Sequence, residues 1–191
     1  MIIPTEEDFQ HCAAFLIEKE NRGGIHAHKF TFDQGNMRAV FCFDMPGHAT
    51  AACRAYPELS GGGEGRWKDF TFHPCKEETF RFISDVLDEL ITLFPSPYIH
   101  IGGDEVHFGN QEWFTDPQIQ QFIKDKQLMN ETGLEQYFVR RVADIITAKG
   151  KTMIGWDEIV DAGVSPDKAE LTAEDFGLAI RKGVESAYKA V

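Results

Sequence analysis

Three short apolar runs constrain this chain more than any other feature: Ala39 to Phe43, Tyr98 to Ile101, and Thr152 to Ile154 with its extension to Trp156. Each is too brief for a helix. Each ends in a polar, glycine-containing cluster: Asp44-Met45-Pro46-Gly47-His48, Gly102-Gly103-Asp104-Glu105, and Gly155-Trp156-Asp157-Glu158. Segments of helical periodicity lie between them. Phe80, Ile83, Leu87, Leu90, Ile91 and Phe94 recur at spacings of three and four, and Pro95 stops the run. From Glu131 onward, Leu134, Phe138, Val142, Ile145 and Ile146 share one face, with Gly150 as terminator. Buried strands alternating with amphipathic helices build a parallel sheet covered by helices, an α/β fold. In such folds functional groups collect beyond the carboxyl ends of the strands, which is where the three polar clusters fall.

The flanks read as helical. Thr5 precedes Glu6, Glu7 and Asp8, with Phe9, Cys12, Ala13, Leu16 and Ile17 on one face. Thr172-Ala173-Glu174-Asp175 opens a second amphipathic pattern through Phe176, Ile180, Val184, Ala187 and Val191, and residues Ala169 to Val191 are expected to be helical. The loop Ser60-Gly61-Gly62-Gly63-Glu64-Gly65 lacks the Lys-Ser/Thr ending of a phosphate cradle and reads as a flexible surface loop.

Composition narrows the partners. Thirty-one acidic residues against 19 basic ones leave a net charge of −12, with no basic block, which argues against nucleic acid and anionic membrane surfaces. No apolar run approaches the ~20 residues of a membrane-spanning helix, so no membrane partner is expected. Met1 to Asp8 shows neither a basic start nor an apolar core, so no signal peptide is visible, and the compartment stays undecided. Cys12, Cys42, Cys53 and Cys75 have no C-x-x-C spacing, and Cys42 reads as a buried free thiol. No zinc-ligand spacing is present, and no metal or other cofactor is expected.

Asp104-Glu105 carries the most chemistry. In a regular strand adjacent side chains point to opposite faces, but beyond Gly102-Gly103 the backbone can leave strand geometry and turn both carboxylates into one cavity. A solvated loop pair or a helix cap is the alternative. His48, aimed by Pro46-Gly47, stands at the same level of the sheet and could tune a neighbouring carboxyl or cap the next helix. Trp156 suits either a sugar face or the core. Asp157-Glu158 sits where a helix should begin and reads as dipole placement. Asp44, His48, Asp104 and Glu105 together could also be imagined as metal ligands, an unspecific pattern.

The stretch Phe43-Asp44-Met45-Pro46-Gly47-His48-Ala49, followed by Tyr56-Pro57-Glu58-Leu59, resembles a strand region of family 20 glycoside hydrolases, the β-N-acetylhexosaminidases. His100-Ile101-Gly102-Gly103-Asp104-Glu105-Val106 is similar to that family's catalytic signature, and Ile154-Gly155-Trp156-Asp157-Glu158-Ile159 to its next strand. The likeness covers residues 40–168, with 1–39 and 169–191 as poorly matched flanks of a single partial catalytic domain. It implies a (β/α)8 barrel that removes terminal non-reducing β-linked N-acetylhexosamine by substrate-assisted retention. Glu105 would be the general acid and base, and Asp104 would orient the 2-acetamido group. His48 would support Glu105, Trp156 would wall the acetamido pocket, and Asp44 would belong to the supporting set. Because a (β/α)8 barrel takes ~250 residues, the fold expected here is a partial or truncated barrel. Two other functions remain open: a catalytically incompetent sugar- or protein-binding remnant, and a metal-dependent hydrolase. Exposed sheet edges would favour a homo-oligomer.

Overall fold

The computed structural model describes residues 30–33, 36–39, 41–94, 96–164 and 169–171; the flanking helices expected over 5–17 and 172–191 lie outside these. Strands β1 (Phe30–Asp33) and β2 (Asn36–Ala39) pair antiparallel. The chain then enters a four-stranded parallel sheet in sequential order, β3 (Phe41–Cys42), β4 (Tyr98–His100), β5 (Thr152–Gly155) and β6 (Ala169–Leu171). Cys42 is in register with His100, which is in register with Ile154. Helices α1 (Thr50–Ala55) and α2 (Glu77–Leu93) lie between β3 and β4. Helices α3 (Pro117–Asp125) and α4 (Glu131–Ala148) lie between β4 and β5.

Both long helices form where the periodicity places them. Helix α2 buries Phe80, Ile83, Leu87 and Leu90 and ends at Leu93, two residues before Pro95. In α4 the Asn130 side chain caps the first turn by accepting from Gly133 N–H at 3.0 Å, and Gly150 follows the last turn at φ +71°. These faces meet the sheet in one core: Phe80, Ile83 and Leu87 from α2 and Phe138, Val142 and Ile146 from α4 pack with Ile99, Ile101 and Met153. The Phe80 and Phe138 rings lie 5.2 Å apart. A fully buried side chain of this kind contributes about 1.5–3 kcal/mol. At the rim, Arg141 of α4 donates to both carboxylate oxygens of Glu77 at 2.9 Å, tying α4 to the first turn of α2.

A smaller cluster of Val106, Trp113, Ile119, Ile123 and Leu134 anchors the loop that leaves β4. Within it, Asp116 caps α3 by accepting from the N–H groups of Gln118 and Ile119, and Pro117 occupies the first helical position. Among the described residues no helix is long and apolar enough to cross a membrane. Cys42 and Cys53 are buried free thiols, and Cys75 is a partly buried one.

Three expectations are corrected. The apolar run 39–43 is not one strand: Ala39 closes the hairpin and only Phe41–Cys42 joins the parallel ladder. Hydrophobic continuity cannot reveal such a change of partner. Ala169–Leu171 is a strand, not the start of a helix; pairing with Met153–Gly155 overrides the helical preference of Ala, Glu and Leu. The glycine loop is packed rather than a free surface loop, with Gly61, Gly62 and Gly63 all buried. Gly61 N–H donates to Thr71 O at 2.7 Å. A Cβ on Gly61 would strike the Phe72 carbonyl, and one on Gly63 the Trp67 carbonyl. The glycines therefore let residues 67–73 fold back under the loop after β3, where Phe72 N–H donates to Pro46 O and Ala49 N–H to Phe70 O, both at 2.8 Å.

Candidate active site

Beyond β4 the backbone abandons strand geometry. Ile101 N–H donates to Ile154 O at 2.8 Å; then Gly102 and Gly103 take φ values of +69° and +94°, and Glu105 +56°. Neither glycine tolerates a side chain. A Cβ on Gly102 would lie 2.6 Å from Asp44 Oδ1 and 3.1 Å from Asp104 Oδ1, and one on Gly103 would strike Ile159. These three positive φ values, either side of Asp104, turn adjacent carboxylates toward one imidazole: His48 Nε2 is 3.6 Å from Asp104 Oδ2 and 3.4 Å from Glu105 Oε2. His48 is itself left-handed, at φ +56°. Glu105 is the more open of the pair, with 46% of its side chain exposed against 24% for Asp104.

The electrostatics couple His48 most closely to Asp104. The Asp104 carboxylate raises the histidine above its ordinary value against the opposing effect of burial, with Asp44 and Glu105 adding to the rise. Burial pushes Asp104 up, but the adjacent imidazole outweighs it and holds the carboxyl below its usual range. The Phe70 ring packs against the imidazole, centroids 4.8 Å apart. His48 Nε2 and Asp104 Oδ1 are buried and have no hydrogen-bond partner among the described residues. Such a pair is incomplete as pure architecture, because buried polar atoms are nearly always satisfied.

Asp44 belongs to a second group. Cys42 Sγ–H donates to Asp44 Oδ1 at 2.7 Å, Cys42 Sγ lies 3.1 Å from His100 Nδ1, and Gly102 N–H donates to that same Nδ1 at 3.0 Å. Trp156, beyond β5, meets His100 edge to face with ring centroids 4.8 Å apart, and its backbone N–H donates to Gly102 O at 2.8 Å. The five residues singled out in the sequence thus divide: His48, Asp104 and Glu105 converge, Asp44 adjoins them across Gly102, and Trp156 is reached through His100. Among the described residues, two sets of donor atoms have the closeness a metal needs, His48 with Asp104 and Glu105, and Cys42 with Asp44 and His100. The four ligands imagined from the sequence are therefore split between two clusters. Asp157 begins a 3-10 helix running to Ala162, where a helix start was expected.

Sequence reading missed Cys42, His100 and Phe70 as neighbours of this site. Cys42 and His100 lie in apolar runs that read as core; only the β3–β4 register brings them side by side. Phe70 carries no local signal. It reaches His48 because the buried glycine loop reverses the chain, and it adjoins Trp67, which stacks on Phe108 at 4.8 Å.

Parallel β/α units with carboxylates and an imidazole gathered beyond the strand ends are a layout that houses acid–base enzymes. Residues 33–188 match the family model described as glycosyl hydrolase family 20, catalytic domain. The chain is 38% identical over 146 residues to a beta-hexosaminidase of Porphyromonas gingivalis, covering 71% of this chain and 18% of that protein. It resembles the crystal structure of a beta-N-acetylhexosaminidase from Bacteroides fragilis, with 34% identity and a TM-score of 0.61 over 70% of this chain and 27% of that one. A family 20 exo-beta-N-acetylglucosaminidase of Vibrio harveyi, solved with N-acetylglucosamine, matches at 28% identity and a TM-score of 0.65 over 76% of this chain and 24% of its own. The chain belongs to glycosyl hydrolase family 20 and spans about a quarter or less of these relatives.

Proposed function

We propose that this chain carries the acid and acetamide-recognising part of an exo-β-N-acetylhexosaminidase, and that its sheet is an arc of a (β/α)8 barrel. Sequential parallel strand order supports the barrel reading. The observation that carries the activity is Asp104 Oδ1, a buried carboxylate oxygen with no hydrogen-bond partner among the described residues, beside the more open Glu105. An ionised carboxylate only accepts hydrogen bonds, so this oxygen suits the N–H of a 2-acetamido group. In the reaction proposed, Glu105 gives its proton to the glycosidic oxygen as the bond to the anomeric carbon breaks. The acetamido oxygen attacks that carbon and closes an oxazolinium ring, whose positive charge Asp104 offsets. Glu105, now a carboxylate, takes a proton from water while the water oxygen opens the ring, so configuration is retained. His48 contacts both carboxylates and holds them in register. Trp156 serves as an aromatic wall. The substrate is a carbohydrate ending in β-linked N-acetylhexosamine; the complex of the Vibrio harveyi relative with N-acetylglucosamine supports that class.

The test is release of p-nitrophenol from its β-N-acetylglucosaminide. Glu105→Gln should lower turnover by about 10²–10⁴-fold. Asp104→Asn should lower it comparably, both with unchanged circular dichroism. Near-normal turnover in Asp104→Asn would sink the substrate-assisted role. Saturable binding of the sugar without turnover would instead identify a binding unit, and turnover abolished by a chelator would identify a metal-dependent hydrolase.

A further inference from the structure

Beneath the carboxylates runs a buried polar column that the proposed reaction does not use. Cys42 is 0% exposed and His100 3%. The column is directional. His100 Nδ1 accepts from Gly102 N–H at 3.0 Å, so in the neutral ring the proton sits on Nε2. The thiol has one proton, and the shorter contact, 2.7 Å to Asp44 Oδ1, takes it. Burial first, and then the Asp44 charge, drive the thiol far above its ordinary value, so it stays a donor throughout the working range. Asp44 Oδ1 in turn lies 2.6 Å, and Asp104 Oδ1 3.1 Å, from where a side chain on Gly102 would begin. Two carboxylates crowded round one glycine repel each other, an effect offset at Asp44 by the Cys42 thiol and at Asp104 by the His48 imidazole.

We propose that Cys42 is a positioning residue of this site: its thiol donates to Asp44 and holds that carboxylate in the gap beside Gly102, so that Asp44 keeps its distance from Asp104 and its field on His48. Its Sγ also packs 3.1 Å from Nδ1 of His100, whose ring meets Trp156, so the ends of β3, β4 and β5 pack together around the thiol. This rests on the proposed hexosaminidase reading for its effect on turnover, but not for its effect on His48, whose proton affinity Asp44 raises.

The test pairs Cys42→Ala, which removes the donor, with Cys42→Ser, which keeps one. The S–H stretch of Cys42, isolated as the Raman difference between the parent chain and Cys42→Ala, should lie below the position of an unbonded thiol and move up in Asp44→Asn. In a titration followed by NMR, Cys42→Ala should move the His48 midpoint down toward the ordinary histidine value, and Cys42→Ser should restore most of it. In p-nitrophenol release, Cys42→Ala should lower kcat by about ten- to a hundredfold with KM nearly unchanged, and the serine variant should recover most of the loss. A thiol band at the unbonded position, or a His48 midpoint identical in all three proteins, overturns the proposal. A parent chain that binds and hydrolyses no hexosaminide overturns the activity reading alone, since the thiol band and the His48 midpoint still decide the role of Cys42.

Discussion

His48 and Asp104 shift each other in opposite directions, and the signs set a pH window. The histidine is raised, so the stabilisation it draws from the folded state is complete below its ordinary value and fades as pH rises through the raised one. The carboxyl is lowered, so its contribution is present above the ordinary carboxylate range and fades as pH falls through the lowered value. Between those limits the pair is an imidazolium beside a carboxylate. Asp104→Asn should therefore bring the His48 midpoint down, as read by NMR of the imidazole protons. The stability lost by that variant should be greatest at mildly acidic pH and shrink toward alkaline pH, measured as the denaturant midpoint across the range. A stability difference independent of pH would mean that the 3.6 Å contact carries no charge coupling. The sequence supplied the members of this pair, because Pro46-Gly47 and Gly102-Gly103 announce turns. It could not supply the partition that leaves Asp44 with Cys42, because that depends on which strand faces which.

The elements most legible in the chain are those whose stability comes from one continuous face. Helices α2 and α4 could be read from their spacing because each buries a stripe against the same sheet. Helix α3 has only nine residues, and behind its Asp116-Pro117 start the short apolar face offers little periodicity. Strands of two to four residues are too short for any pattern, and β6 is composed of helix formers. Pairing decides them. The same logic places the energetic weight on the helix stripe. Phe138 is 0% exposed, lies against Phe80, and sits midway along α4 in the main core. Phe138→Ala should destabilise the chain by about 3–5 kcal/mol, the cost of removing a buried aromatic and leaving a cavity. Reversible urea unfolding checks it; a loss below about 1 kcal/mol would mean that α4 and α2 repack around the gap.

For the molecule as a whole, charge and sheet margins act against each other. Strands β3 and β6 lie at the two ends of the parallel sheet among the described residues, and unpaired strand edges template association. The excess of 31 acidic over 19 basic residues, −12 in all, opposes close approach of two copies near neutrality. That opposition weakens in two ways. Acidification toward the isoelectric point, close to pH 5.0, removes the net charge, and salt shortens its reach to about 8 Å at 0.15 M ionic strength. Light scattering at fixed protein concentration should therefore rise as pH falls from 8 and peak near the isoelectric point. At pH 7 it should increase with added sodium chloride. Scattering that peaks near pH 5 but ignores salt at pH 7 would point to protonation of particular carboxyls, such as those around Asp104, rather than to net charge. Scattering flat in both series would mean that the sheet margins are already covered, and that the −12 charge has no association to hold back.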